Sequence, residues 1–151
     1  MDLFNRDEIK SEWVHPTEFP SMKGKKVVAI DLETCDTDLK KMGPGWPKKI
    51  GKVIGIAISS GDFTAYYPIS HDGGGNMDRK AVLKYIKEVC EDESIQKVFH
   101  NAQYDVGWLS VLDIEVKGYI HDTMIAAALL DENRFSYCLL YTSDAADDLL
   151  C

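Results

Sequence analysis

Val27-Val28-Ala29-Ile30-Asp31-Leu32-Glu33-Thr34 is the stretch on which the reading of this chain turns. Four apolar residues, three of them β-branched, run into two carboxylates separated by one residue. Alternate side chains of a strand share a face, so Asp31 and Glu33 point the same way. Two carboxylates side by side repel, and a cation or a proton between them relieves the repulsion. The spacing either asks for a metal ion or marks a strand end whose acids face water. An Asp-x-Glu alone does not choose between these readings.

Composition bounds the answer without deciding it. At 151 residues and 45% hydrophobic, the chain suffices for one domain with a substantial core. No stretch approaches the length of a membrane span, and Met1 to Trp13 is too charged for a signal peptide, so an intracellular, cytoplasmic protein is expected. Cys35, Cys90, Cys138 and Cys151 lack metal-ligand spacing and read as free thiols. The net charge of −8 argues against gripping nucleic acid by bulk electrostatics. Enzymes that bring divalent ions to phosphates escape that argument, because the carboxylates holding the ions make the domain acidic.

Around the opening strand, expected at Lys26 to Leu32, the chain reads as a mixed α/β domain. Residues 1–26 form an irregular lead-in, with Trp13 and Phe19 packed on the domain. Cys35 to Lys52, with Gly43-Pro44-Gly45-Trp46-Pro47 at its centre, reads as a long loop. Its lysines 40, 41, 48, 49 and 52 read as solvated rather than as a nucleic-acid contact. Val53 to Ser59 and Phe63 to Pro68 flank Ser60-Gly61-Asp62 as a hairpin, which gives a three-strand antiparallel meander. After a flexible His71-to-Gly75 linker, Asp78 caps a helix ending near Glu91. Lys97 to His100 is a short strand, and Ala102 to Val111 a helix burying Val106, Leu109 and the flank of Trp108. Tyr119 and Ile120 make a last strand, and Asp122 caps a final helix. A strand, a helix and a strand in sequence imply a parallel crossover, which extends the sheet on the other side of the first strand.

The end of the chain stands apart. Cys138 to Asp147 resembles the conceptual translation of a transposon-end sequencing adapter, so residues 138–151 are read as non-native read-through and left out of the fold. That leaves three segments: the lead-in at 1–26, the domain body at 27–137 and the tail. Omitting the tail removes three acids, no bases and two of the four cysteines.

The second informative stretch is His100-Asn101-Ala102-Gln103-Tyr104-Asp105. An Asp-x-Glu on the first strand, then Asn-x-x-Tyr-Asp, then Asp122-Thr123-Met124 resembles the first two exonuclease motifs of the DEDD superfamily. Among its members the chain looks most like the proofreading domain of phage-type family A DNA polymerases, over roughly residues 25–137 and with Gly43-Pro44-Gly45-Trp46 in support. Several motifs in order are far more specific than one acid pair.

The resemblance implies a ribonuclease H-like fold and 3′-to-5′ removal of nucleotides from a single-stranded DNA 3′ end. It also implies a polymerase domain in cis, and host cytoplasm if the gene is a phage's. It makes Asp31, Glu33 and Asp105 the catalytic metal ligands for two Mg2+ or Mn2+ ions, with Asp31 bridging, Glu33 on the water-activating ion and Asp105 on the other. Thr34, Asn101 and Tyr104 become candidates for holding the frayed 3′ end. Each has a plainer reading: Thr34 satisfying a strand end, Asn101 capping the following helix, Tyr104 filling the core.

The family's fourth carboxylate, four residues after a tyrosine or histidine on a later helix, has no match before the chain ends. Asp122 follows Asp105 too closely and reads as a helix cap, and Asp144 follows Tyr141 by three residues, inside the suspect tail. The expectation is therefore a domain cut before its third motif, nearly inactive as it stands, with apolar surface exposed where later helices would pack. A free-standing DEDD exonuclease acting on RNA, and a non-catalytic nucleic-acid-binding or docking module, remain the alternatives.

Overall fold

The computed structural model describes residues 13–133 and 136–137. The tail from Cys138, on which the read-through reading rests, lies outside the described residues.

The opening run forms β1, Val27–Cys35, longer than expected, so that the two acids lie within the strand rather than at its end. Its alternation does what the sequence requires: Val28, Ile30 and Leu32 are buried, while Ala29, Asp31 and Glu33 belong to the other face. Each of the three buried side chains contributes roughly 1.5–3 kcal/mol. β1 pairs antiparallel with β2, Lys52–Ser59, which pairs antiparallel with β3, Thr64–Pro68. On its other side β1 runs parallel to β4, Gln96–Phe99, and β4 runs parallel to β5, Ile120–Asp122. The order β3-β2-β1-β4-β5 is the expected meander with β/α units added on the far side of β1.

Between Glu33 and Thr34 the β1–β2 register slips. Glu33 pairs with Gly55 and Thr34 with Val53, which leaves Ile54 unmatched. Such a bulge re-aims the residues that follow it.

The loop between β1 and β2 is less irregular than its composition suggests. It holds a short helix, α1, at Leu39–Met42, and a 3-10 turn at Trp46–Lys48. The 71–75 segment, expected to be flexible, is held from three sides. Asn76 Oδ1 accepts the His71 N–H at 2.7 Å and Asn76 Nδ2 donates to the His71 carbonyl at 2.8 Å. Lys52 pairs with Asp72 at 2.7 Å, and Tyr66 Oη meets His71 Nε2 at 2.5 Å.

Helix α2, Arg79–Glu91, starts where expected, its Asp78 cap accepting the Lys80 N–H at 2.9 Å. Val82, Ile86 and Val89 of α2 share one core with β1, with Trp108 and Leu109 of α3 (Ala102–Val111), and with Tyr67. The α3 expectation needs correction: Trp108 is buried whole, and Val106 only partly, because the face that meets the core is Asp105-Trp108-Leu109. Phe19 packs on Tyr67 and Tyr85 with centroids 5.4 and 5.2 Å apart, and Met22 enters the core, so the end of the lead-in belongs to the packed body. Lys97 is wholly buried, its ammonium donating to the carbonyls of Asp92 and Lys117. The last helix, α4 at Thr123–Leu130, buries no residue and exposes Ile125, Leu129 and Leu130. Among the described residues no helix is long and apolar enough to cross a membrane.

Candidate active site

Asp31 and Glu33 share one face of β1, and Asp105, in the first turn of α3, lies near enough to feel the charge of both. Val27 and Ala29 of β1 stand beside Gln96 and Val98 of β4, so His100, just past β4, falls next to Asp31. The chain then turns at Asn101, in the left-handed region with φ 63°, and enters α3, whose first turn carries Asp105. Crevices at the carboxyl ends of strands are where open α/β sheets place their ligands.

Asp105 is only 3% exposed, and its Oδ2 has no hydrogen-bond partner. Burial, then the neighbouring Asp31, and further Glu33 and Asp122 push its carboxyl up to about 8, against the pull of the Leu32 N–H. Asp31 is also raised by burial, partly offset by His100. Carboxyls that hold their protons more tightly mark burial first, and then the repulsion expected of acids that share one charge environment. Among the described residues no group of three or more His, Cys, Asp or Glu side chains stands placed to hold a metal ion. By chemistry rather than placement the carboxylates suit a hard divalent cation, for the orphaned Asp105 oxygen lacks the positive partner its burial calls for.

The three candidate substrate residues part company. Thr34 Oγ1 and Tyr104 Oη are 2.7 Å apart, and the Tyr104 hydroxyl also donates to Asp36 Oδ2 at 3.2 Å. Both residues of this pair are half-buried, Tyr104 with its ring edge-on to Trp108. Asn101 does not cap α3: its side chain makes no cap hydrogen bond and is exposed. The cap comes from Asp122, whose carboxylate accepts the N–H groups of Asn101 and Ala102 at 3.1 and 2.8 Å. The same carboxylate accepts those of Met124 and Ile125 at 2.9 and 3.4 Å, as its reading as a cap for α4 requires. Burial raises the Asp122 carboxyl, and these four donors outweigh it and leave it below the usual range.

Sequence reasoning missed two contributors. Asp36 ties the β1–β2 loop to α3, accepting the Gly45 N–H at 2.8 Å besides the Tyr104 hydroxyl. Trp46 lies across Gly107, where a Cβ would overlap its indole. Only the glycine inside an otherwise helical run hinted at this close approach.

An antiparallel meander, a parallel extension and an Asp-x-Glu on the central strand define the class: an α/β domain of the ribonuclease H-like exonuclease kind. The chain belongs to the 3′-5′ exonuclease family of the DNA polymerase A type, whose family model matches residues 17–142. It is 37% identical over 137 residues to a DNA-directed DNA polymerase of Pseudomonas phage M6, covering 87% of this chain and 21% of that protein. With the DNA polymerase I of Pseudomonas aeruginosa it shares 31% over 113 residues, 70% of this chain and 11% of the polymerase. The chain thus spans about a fifth or less of these relatives. By fold it resembles Brucella melitensis NrnC with bound Mg2+, with TM-score 0.58 and 21% identity over 81% of this chain and 54% of that one. It also resembles the exoribonuclease RNase D of Escherichia coli, with TM-score 0.50 and 19% identity over 78% and 28% of the two chains.

Proposed function

We propose that this chain is the proofreading exonuclease portion of a longer DNA polymerase and that Asp31, Glu33 and Asp105 hold the divalent ions that hydrolyse the 3′-terminal phosphodiester of a single DNA strand. The observation that carries the reading is Asp105: a buried carboxylate with an unpartnered oxygen, pushed up to about 8 and facing Asp31. A structural acid at such a site would be expected to have donors on both oxygens, whereas Asp105 has the Leu32 N–H and one oxygen left for a cation.

Bound magnesium or manganese would supply the positive charge that lets these acids ionise together, activate water and stabilise the leaving oxygen. The rest falls to the chain's own residues. Thr34 and Tyr104 orient the terminal nucleotide through their coupled hydroxyls. The exposed Asn101 amide, freed from capping by Asp122, offers donors and an acceptor to the strand. Water adds to phosphorus, the P–O3′ bond breaks and the proton goes to the departing 3′ oxygen, giving a nucleoside 5′-monophosphate and a shortened strand with a 3′ hydroxyl.

DNA is the proposed substrate because the relatives above 30% identity are DNA polymerases. Asp122, committed to four backbone donors, is not available as a fourth metal ligand. Weak turnover by the chain alone is therefore expected.

The test uses 5′-labelled single-stranded DNA and RNA with Mg2+ or Mn2+. The proposal expects DNA shortened one nucleotide at a time from its 3′ end, abolished by Asp31→Ala. Cleavage of RNA alone would move the assignment to an RNA-trimming enzyme. Strand binding without cleavage, in a longer chain that includes the following sequence, would leave a binding module.

A further inference from the structure

We propose that the cleft between Trp13, Tyr66 and the Gly73-Gly74-Gly75 loop is a subsite for one nucleobase of the strand held at Asp31 and Glu33. The inference rests on the nuclease reading above and adds to it a second contact with substrate, on β3 and the lead-in.

Position is the first argument. Asp31 pairs with Ala57 and Ala57 with Tyr66, so the three side chains form one row on one face of the sheet. The row has a small residue at its centre and an aromatic ring at its end. The Tyr66 ring leans over Gly55, where a Cβ would overlap the phenol, and Gly55 is the cross-strand partner of Glu33. Only a glycine admits the ring there.

Size and chemistry agree with that position. Trp13, His15, Tyr66, His71 and the glycine loop line an open cleft of about 490 Å3, within the roughly 300–1,000 Å3 of small-ligand sites. Trp13 is 54% exposed and tilted 57° to Tyr66 with centroids 5.9 Å apart, so the two rings present a corner rather than a closed stack. Aromatic faces take any base by stacking, which suits an enzyme that removes nucleotides regardless of identity. The opposite lip has no side chains to obstruct a base, for a Cβ at Gly73, Gly74 or Gly75 would meet nothing within 4 Å.

The wall of the cleft made by Tyr66 and His71 is also built in advance. Tyr66 is held by His71, His71 by Asn76 and Asp72 by Lys52. Little ordering entropy is left for binding to overcome.

The experiment measures equilibrium binding of tetrathymidylate, and of analogues lacking one base at a time, to the full chain in Ca2+. For the wild type, removing the base at one position is expected to weaken binding about tenfold, the size of a stacked base. Trp13→Ala should shrink that loss to less than about twofold, and Gly73→Glu, which meets no obstruction, should weaken every ligand by placing a charge in the mouth. If Asp31→Asn weakens binding but Trp13→Ala leaves the base scan unchanged, the cleft is overturned and the nuclease reading stands. Binding indifferent to Asp31→Asn, or no binding by the wild type, overturns both.

Discussion

Asp122 Oδ2 accepts the N–H of Ala102 at 2.8 Å while its Oδ1 accepts that of Met124 at 2.9 Å, so one carboxylate caps two helices. The first of these helices carries Asp105 in its opening turn. An Asp cap is worth about 0.5–2 kcal/mol, so Asp122→Ala should cost roughly 1–3 kcal/mol of stability in urea unfolding, with Asp122→Asn recovering part of it. A loss below about 0.5 kcal/mol would refute the double cap.

Asp105 and Asp31 predict how stability follows pH when no divalent ion is present. Asp105 is pushed up to about 8 in the fold, well above its ordinary value of 3.8, and Asp31 moves in the same direction. The folded chain therefore holds these protons more tightly than the unfolded one. That stability is full below about pH 4 and is lost as pH rises toward the folded value, with a slope of at most about 1.4 kcal/mol per pH unit for one proton. Melting in EDTA from pH 5 to about pH 8.5 should show the fall, and Asp105→Asn should flatten it. A flat wild-type profile, or a slope untouched by the substitution, would contradict the account.

Gly107 meets Trp46 where any Cβ would overlap the indole, and it faces the loop that Asp36 ties down. Gly107→Ala should displace Trp46, costing on the order of 1–3 kcal/mol as overpacking does, and should shift tryptophan emission toward that of an exposed indole. An unchanged spectrum with unchanged stability would mean that the loop yields freely.

Sheet order and element type were legible because they rest on local pattern. The alternation of β1, the helical spacing of Val82, Ile86 and Val89, and the Ser60-Gly61-Asp62 turn are all written within a dozen residues. The three acids could be proposed as a set only through the resemblance of motifs in order. What could not be read was the contact between distant segments. Asp36 reaches Tyr104 across 68 positions. Asp122 reaches back 20 positions to cap a helix that Asn101 seemed placed to cap. Asn101 instead adopts a left-handed backbone, which withdraws its side chain from the helix end. The 71–75 segment looked flexible because its glycines were visible and the partners of His71 and Asp72 were not.

Calorimetric titration of Mn2+ into the chain at about pH 8, beside Asp31→Asn, tests the central claim most directly, because ligand carboxylates must be deprotonated to bind. The account predicts binding to the wild type with release of a proton, and affinity at least about tenfold weaker in the variant. Equal affinity in the two proteins, or binding without proton release, would contradict it.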